Sequence, residues 1–243
     1  MKTVKIKRYL QDPGHCAVAS CASVANFYNK NADYNLSVEI TKNNITQNIS
    51  QGLYTGSIGL LLNYLGFDKV TVISSDVNYL DYSWSKLSKI RLVEKLDHAT
   101  KWNRYGDEGA TKQAKDIVKF LKNKSQNKLI IDYNFKDYIV KYLNKDIPIL
   151  LSFNWTIYFR YSKWNENERN DPVRGFDCYH AVCCNGYDDK RVSIVDSHTE
   201  CYKYRLKRFI KGRYKMTWEN LLTCLGQGDL IIPEKYNTKS LIL

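Results

Sequence analysis

The sequence predicts an α+β fold in which helices come first and an antiparallel sheet dominates the C-terminal half. Three observations support this: a helix of small residues follows the Pro13-Gly14 turn, charged helical segments fill the middle of the chain, and short apolar strands alternate with turns towards the end. We expect the N-terminal helix to be central and to pack on the sheet. At 243 residues the chain can bury a sizeable core, and we expect a single domain over 1–243 with a helical insertion around 75–145.

The N-terminal half is expected to supply one strand and several helices. Alternating apolar and basic residues predict a strand that ends near Leu10, and a helix follows over 16 to about 29. The small residues of this helix allow close backbone packing, which indicates a buried position. Further expected elements are a polar helix over 37–48, a helix over 57–65 that ends at Gly66, a strand over 70–73, and mostly helical, charged sequence over 80–145.

The C-terminal half is expected to form most of the sheet. If its central hairpin turns through Tyr187-Asp188-Asp189, residue 180 stands opposite residue 196. The expected elements are strands over 147–153, 179–186, 191–196, 202–209 and 230–232, a polar loop over about 162–177, and a helix over 217–224.

Charge and cysteine content limit the class of protein. The net charge of +12 raises nucleic acid as a partner, but the densest basic cluster, 203–215, alternates like the solvent face of strands. Seven cysteines without framework spacing argue against a secreted disulfide scaffold and favour a reducing compartment. No apolar run suits a membrane span or a signal peptide. We therefore expect a cytoplasmic protein, in a host cytoplasm or virion if the AT-rich residue usage marks a virus.

Cys16 is the candidate nucleophile. It lies where the Pro13-Gly14 turn ends and the small-residue helix begins, so the helix dipole and unpaired N–H groups stabilise a thiolate and lower the thiol pKa below about 8.5. Cys21 is turned away from the helix end and is expected in the core. His15, beside the nucleophile, could tune or replace the base, whereas His98 lies in a charged helix and has no evident role.

His180 and Asp196 are the candidate base and orienting acid. His180 begins an apolar strand and Asp196 ends the next one. Side chains on facing strands have Cβ atoms about 5 Å apart, which is close enough for a carboxylate to hold an imidazole nitrogen. A thiol needs a base to deprotonate it, and the base needs a third group to orient it. The three residues therefore predict a cysteine hydrolase.

These motifs resemble the papain-fold peptidases of the bacteriocin-processing, double-glycine type and their stand-alone relatives. The resemblance covers most of the chain, with 75–130 poorly matched. It rests on Gln11 and Cys16-Ala17-Val18-Ala19, on His180-Ala181-Val182 with Gly186-Tyr187-Asp188 and Val195-Asp196, on Thr55-Gly56-Ser57, on Tyr138 to Phe153, and on Met216-Thr217-Trp218-Glu219-Asn220-Leu221.

The resemblance implies a papain-like cysteine peptidase that needs no cofactor and acts on a peptide or protein. In that family the positions of Cys16, His180 and Asp196 are nucleophile, base and orienting acid, and Gln11 helps the cysteine's own N–H form the oxyanion hole. The expected reaction is hydrolysis of a peptide or related amide bond through an acyl-enzyme. Two departures affect the oxyanion hole: Gln11 lies five residues before Cys16 where the family usually has six, and Ala17 replaces a usual glycine.

Other functions stay open at this point. The same groups could pass the acyl group to an amine, the chain could be a catalytically inactive binding or structural protein of papain fold, or it could be a basic nucleic-acid-binding protein. The sequence indicates neither the substrate nor the oligomeric state.

A zinc site is the main competing arrangement. Its possible ligands lie within 24 residues, but paired ligands at C-x₂₋₄-C spacing on turns are absent, and adjacent strand residues such as Cys183 and Cys184 point to opposite faces. We therefore expect no metal. The candidate ligands are Cys178, His180, Cys183, Cys184, His198 and Cys201.

Overall fold

The computed structural model describes residues 1–101, 108–159, 163, 171–198 and 212–237. Within them the α+β prediction is confirmed, because eight α-helices accompany one mixed eight-stranded sheet. The helices are α1 (Cys16–Tyr28), α2 (Tyr34–Asn44), α3 (Thr55–Tyr64), α4 (Lys89–Lys101), α5 (Glu108–Lys122), α6 (Phe135–Leu143), α7 (Trp155–Phe159) and α8 (Trp218–Cys224). The strands are β1 (Lys2–Thr3), β2 (Phe67–Ser74), β3 (Lys128–Ile131), β4 (Ile149–Asn154), β5 (Tyr179–Tyr187), β6 (Arg191–Val195), β7 (Arg213–Thr217) and β8 (Asp229–Tyr236).

The sheet has the strand order β3-β2-β8-β4-β5-β6-β7, and β1 pairs with β5 outside this path. The β2–β3 pair is parallel, whereas the other pairs are antiparallel. Strands β4 and β5 are almost fully buried, which is typical of central strands covered on both faces. One continuous apolar core includes residues of helices and strands from both halves of the chain.

Helix α1 packs directly on β5. Its small residues are almost all buried, as the sequence predicts. The Ser20 hydroxyl donates to the Ala181 carbonyl at 3.0 Å, and the Cys183 thiol donates to the Ser20 carbonyl at 3.3 Å. Short side chains permit this approach, so the start of α1 is placed beside the start of β5.

The turn before α1 requires glycine. Gly14 has a φ of 77°, and a Cβ at this position would lie 2.1 Å from the Ser50 carbonyl oxygen. Both the left-handed backbone and the close approach exclude larger residues. The turn is therefore held against a neighbouring loop at a defined distance from Cys16.

The N-terminal strand is shorter than predicted. Only Lys2–Thr3 pair as a strand, although an extended segment was expected to reach Leu10. Isolated contacts hold the chain further on: the Val4 N–H donates to the Asn185 carbonyl at 2.6 Å, and Arg213 donates to the Ile6 carbonyl at 3.0 Å. Isolated backbone and side-chain hydrogen bonds thus replace a regular ladder.

Three short elements differ from the sequence prediction. Strand β3 lies in the stretch expected to be mostly helical, where it pairs with β2. Helix α7 and strand β7 were not predicted. In β7 the exposed Arg213 and Lys215 alternate with buried residues, so this part of the basic cluster does form the solvent face of a strand. The predicted strand over 202–209 lies outside the described residues.

The hairpin of β5 and β6 is shifted relative to the prediction. The Asp188 N–H donates to the Arg191 carbonyl at 2.7 Å, which places the turn later than expected. The ladder then pairs Cys183 with Val195 and contains a bulge after Cys184. The ladder ends at the Cys183–Val195 pair, and its register, if continued, would place residue 180 opposite residue 198. The predicted direct pairing of residues 180 and 196 is therefore wrong.

A buried carboxylate joins the sheet to two helices. Asp229, at the start of β8, is 4% exposed. It accepts hydrogen bonds from the Thr55 hydroxyl, from the Tyr79 hydroxyl at 3.4 Å and from the Gln113 amide at 3.5 Å. Burial raises the pKa of Asp229 to about 6, although hydrogen bonds from Ser74, Thr55 and Tyr79 oppose the rise.

Replacing Asp229 by Asn should change how stability depends on pH. Because the pKa of Asp229 in the folded protein is raised from 3.8 to about 6, its contribution to the free energy of unfolding is greatest below about pH 4 and is lost as the pH rises through about 6. The free energy of unfolding of Asp229→Asn minus that of wild type should increase by roughly 2–3 kcal/mol as the pH rises from about 4 to about 7.5. Urea denaturation across this range measures the difference.

The exposed Asp137→Asn variant is the matched control. A difference between Asp229→Asn and wild type that stays constant from acid to neutral pH would contradict a raised pKa for Asp229.

Candidate active site

Three elements meet at the candidate site. Cys16 is the first residue of α1, and no acidic residue in the first turn offsets the helix dipole. His180 is the second residue of β5, and Asp196 directly follows β6. The packing of α1 on β5 and the hairpin therefore bring together residues that lie far apart in the sequence.

His180 and Asp196 form a buried pair. The imidazole Nε2 lies 2.8 Å from Asp196 Oδ1, and the two side chains are 3% and 0% exposed. The same oxygen accepts the His198 backbone N–H at 2.9 Å, and Oδ2 accepts the Tyr214 hydroxyl at 3.1 Å. These donors stabilise the charged carboxylate inside the protein and fix its orientation.

The imidazole of His180 is the side chain that most lowers the pKa of the Cys16 thiol. Because Nε2 is taken by Asp196, Nδ1 is the ring nitrogen left for the sulfur. Burial alone would raise the pKa of the Cys16 thiol, but the hydrogen bond and charge of His180, with the Ala181 backbone N–H, outweigh burial and lower that pKa.

The imidazole shifts in the complementary direction. Burial alone would lower the pKa of His180, but the charge and hydrogen bond of Asp196, together with Cys16, raise it to about 10. Burial would also raise the pKa of Asp196, yet the His180 charge and the surrounding donors lower it. Together these shifts favour the form of the site in which a thiolate lies beside an imidazolium, with an ionised carboxylate behind it.

Trp155 covers the imidazole. Its ring stacks on His180 with centroids 4.4 Å apart and an interplanar angle of 13°. Its backbone N–H donates to the Cys178 carbonyl at 2.8 Å, which anchors the start of α7 beside β5. The stacked ring shields the His180–Asp196 hydrogen bond from water. Sequence reasoning missed Trp155, although a tryptophan directly after an apolar strand was a usable signal.

Gln11 is held beside the Asp196 loop. Its backbone N–H donates to the Ser197 carbonyl at 3.1 Å, and its side-chain Oε1 accepts the Ser197 hydroxyl at 2.7 Å. Ser197 thereby orients the amide, whose NH₂ group has no acceptor among the described residues. Gln11 thus keeps two N–H donors for another partner.

A comparison with protein families identifies the family of this chain. The family model described as "Peptidase_C39 like family" matches residues 2–222. The chain belongs to the Peptidase_C39-like family. The protein is therefore a cysteine-type peptidase, a hydrolase, with a papain-like α+β fold, as the sequence resemblance implied. No curated protein and no solved structure matches the chain.

The other histidines considered for this peptidase lie elsewhere. His15 Nδ1 is 2.9 Å from the Tyr34 hydroxyl, which in turn donates to Asp12 at 3.0 Å. His15 therefore helps to hold the turn before Cys16, and the thiol's imidazole partner is His180. His98 lies exposed in the last turn of α4.

The residues considered for zinc do not converge in the described part of the chain. No group of three or more His, Cys, Asp or Glu side chains there could hold a metal ion. Cys183 donates to a carbonyl of α1, whereas Cys184 donates to the Gly186 carbonyl of its own strand at 3.8 Å. Cys201 lies outside the described residues. Separately, none of the described helices has the length and apolar character to cross a membrane.

Cys16 should react with iodoacetamide at about pH 6 much faster than the other described cysteines. Its thiol pKa is lowered, whereas burial raises the pKa of Cys183 and of Cys184 to about 12. An ordinary thiol is almost wholly protonated at this pH. Alkylation rates for each cysteine, followed by peptide mass spectrometry between about pH 5 and 9, measure the difference.

Cys178 is the internal control because it is partly exposed, as Cys16 is, but its thiol pKa is raised. His180→Gln should move the Cys16 profile towards that of a free thiol. Equal rates for Cys16 and Cys178 at pH 6 would show that no thiolate is preformed.

Proposed function

We propose that this peptidase hydrolyses a peptide or related amide bond through a Cys16–His180–Asp196 triad and an acyl-enzyme. One observation carries the proposal: the imidazole that lowers the pKa of the Cys16 thiol has its Nε2 held at 2.8 Å by a buried carboxylate. A nucleophile, its base and an orienting acid need this arrangement.

Acylation begins from the thiolate–imidazolium pair. The Cys16 sulfur attacks the carbonyl carbon and forms a C–S bond while the carbonyl oxygen becomes an oxyanion. The Cys16 N–H and the Gln11 amide donate to this oxygen. His180 Nδ1–H then gives its proton to the leaving nitrogen, the C–N bond breaks, and a thioester and a free amine result.

Deacylation uses the same groups in reverse. Neutral His180 takes a proton from water, whose oxygen attacks the thioester carbon. The second tetrahedral intermediate collapses with loss of the Cys16 thiolate, which restores the ion pair and releases the acid. Throughout both steps Asp196 keeps its hydrogen bond to Nε2 and stabilises each imidazolium as it forms.

Two further expectations belong to this proposal. The catalytic groups come from residue 16 and from 180–196, so we treat the chain as a single peptidase domain. A reducing compartment such as the cytoplasm suits the mechanism, because the nucleophilic thiol stays reduced there.

The protein should cleave peptides only when Cys16 is present. Incubation with a proteome-derived peptide library should produce new amino termini, read by mass spectrometry. Cys16→Ala should reduce their rate of formation by about 10⁴-fold or more, as removal of a protease nucleophile does.

The matched control is Cys224→Ala, which removes a buried thiol of α8 and should leave cleavage intact. Cleavage that persists in Cys16→Ala would exclude Cys16 as the nucleophile. An intact library with the wild-type protein would favour the inactive binding protein.

Gln11→Ala should lower kcat by about 10²–10³ on any peptide cleaved by the wild type, the usual effect of removing one oxyanion donor. The rate of Cys16 alkylation should change little, because the oxyanion forms only during acyl transfer. Gln47→Ala, which removes an exposed glutamine amide in a different loop, is the control. An unchanged kcat in Gln11→Ala would show that another group occupies the oxyanion hole.

A further inference from the structure

The N-terminal segment over 4–11 lies along the hairpin side of the sheet. It contacts β5 through Val4 and the start of β7 through Ile6. Val4 and Ile6 are buried whereas Lys5 and Lys7 are exposed. Arg8 occupies the next inward-facing position of this alternation, and it is only partly exposed. The extended backbone therefore directs a charged side chain towards the interior.

The Arg8 guanidinium binds both ends of the loop that carries the acid. Nε donates to the Asp196 carbonyl at 2.5 Å, and Nη2 donates to the His198 carbonyl at 2.6 Å. Two donor nitrogens at fixed spacing in one rigid planar group fix the distance between two carbonyls, whereas a lysine ammonium on its flexible stem has no such fixed spacing.

Gly212 provides the space for this contact. A Cβ at residue 212 would lie 1.9 Å from Arg8 Nε. The Gly212 carbonyl also accepts the Asp196 N–H at 2.8 Å. The loop is thus held from β7 on one side and from Arg8 on the other, and the glycine lets both contacts occur together.

The loop position decides where two functional side chains point. Asp196 is the first residue of the loop, and its carboxylate points at His180. Ser197 is the second residue, and its hydroxyl binds the Gln11 amide. The His198 N–H, at the end bound by Arg8, donates to the same Asp196 oxygen that holds His180. A shift of the loop would therefore disturb both the acid and the oxyanion donor.

We propose that Arg8 is a positioning residue that holds the Asp196–His198 loop so that the carboxylate stays aligned on His180. Arg8 acts through the backbone of this loop, and its role rests on the proposed triad. Its removal should weaken the Asp196–His180 hydrogen bond. The imidazolium then loses stabilisation, and the thiol pKa of Cys16 rises.

The test compares Arg8→Gln with Lys5→Gln, which removes the same charge from an exposed position of the same segment. The readout is the pH profile of Cys16 alkylation by iodoacetamide. Arg8→Gln should slow the reaction at pH 6 about threefold or more and move the midpoint of the profile to a higher pH, because the thiolate fraction at pH 6 falls once the thiol pKa rises past this pH, by up to about tenfold for each further rise of one. Lys5→Gln should keep the wild-type profile.

Two further variants separate positioning from stability. Arg8→Lys keeps the charge and should also react slowly, since an ammonium lacks the two donor nitrogens at fixed planar spacing that hold both carbonyls. In Arg8→Ala, methylguanidinium at low millimolar concentration should restore the fast reaction, and it should leave Lys5→Ala unchanged. If Arg8→Gln fails to fold by circular dichroism, these two comparisons decide the matter.

The outcomes distinguish this inference from the proposed function. If wild-type Cys16 is not fast at pH 6, the triad itself is wrong. If wild-type Cys16 is fast and Arg8→Gln and Arg8→Lys share its profile, Arg8 has no positioning role and the triad stands. If Cys16 reacts slowly in Arg8→Gln and equally slowly in Lys5→Gln, the loss of one positive charge explains the effect. This result would also overturn the inference.

Discussion

The hydrogen bond between His180 and Asp196 is the interaction on which the site depends. Both groups are withdrawn from water, and burial of charges is costly unless every partner is well placed. The surrounding structure supplies those partners: Tyr214 and the His198 N–H bind the carboxylate, and Trp155 covers the ring. Removing one partner would leave a buried charge poorly compensated, so the acid, the base and their supports act as a unit.

The same principle explains why one thiol differs from its neighbours. Burial raises the pKa of Cys21, on α1, and of Cys183, on β5, which lie only a few residues from Cys16 and His180 in the sequence. Burial also acts on Cys16, but among the described cysteines Cys16 alone has an imidazole, that of His180, which lowers its thiol pKa. The immediate neighbours of a thiol therefore set its reactivity, and burial by itself would make Cys16 inert.

The sequence predicts local structure well where the pattern is local. The Pro-Gly turn and the run of small residues predict α1, and the turn residues near Asp188 predict the hairpin to within two positions. Strand β3 has only four residues between charged helices, and its place depends on parallel pairing with β2, for which the sequence has no local signal. Arg8 was missed for a related reason: its partners lie 188 and 190 residues away. The alternation that makes Val4 and Ile6 face inwards was the one sequence signal that Arg8 also faces inwards.

The separation in sequence between Arg8 and its partners affects how the protein is made. The N-terminal segment and Cys16 leave the ribosome long before the hairpin, the Asp196 loop and β7 exist. Until the chain beyond Tyr214 has been synthesised and has folded back on the N-terminal segment, Cys16 has neither imidazole nor oriented acid, and its thiol behaves as an ordinary one. The lowered thiol pKa of Cys16 is thus a property that arises only after these long-range contacts have assembled.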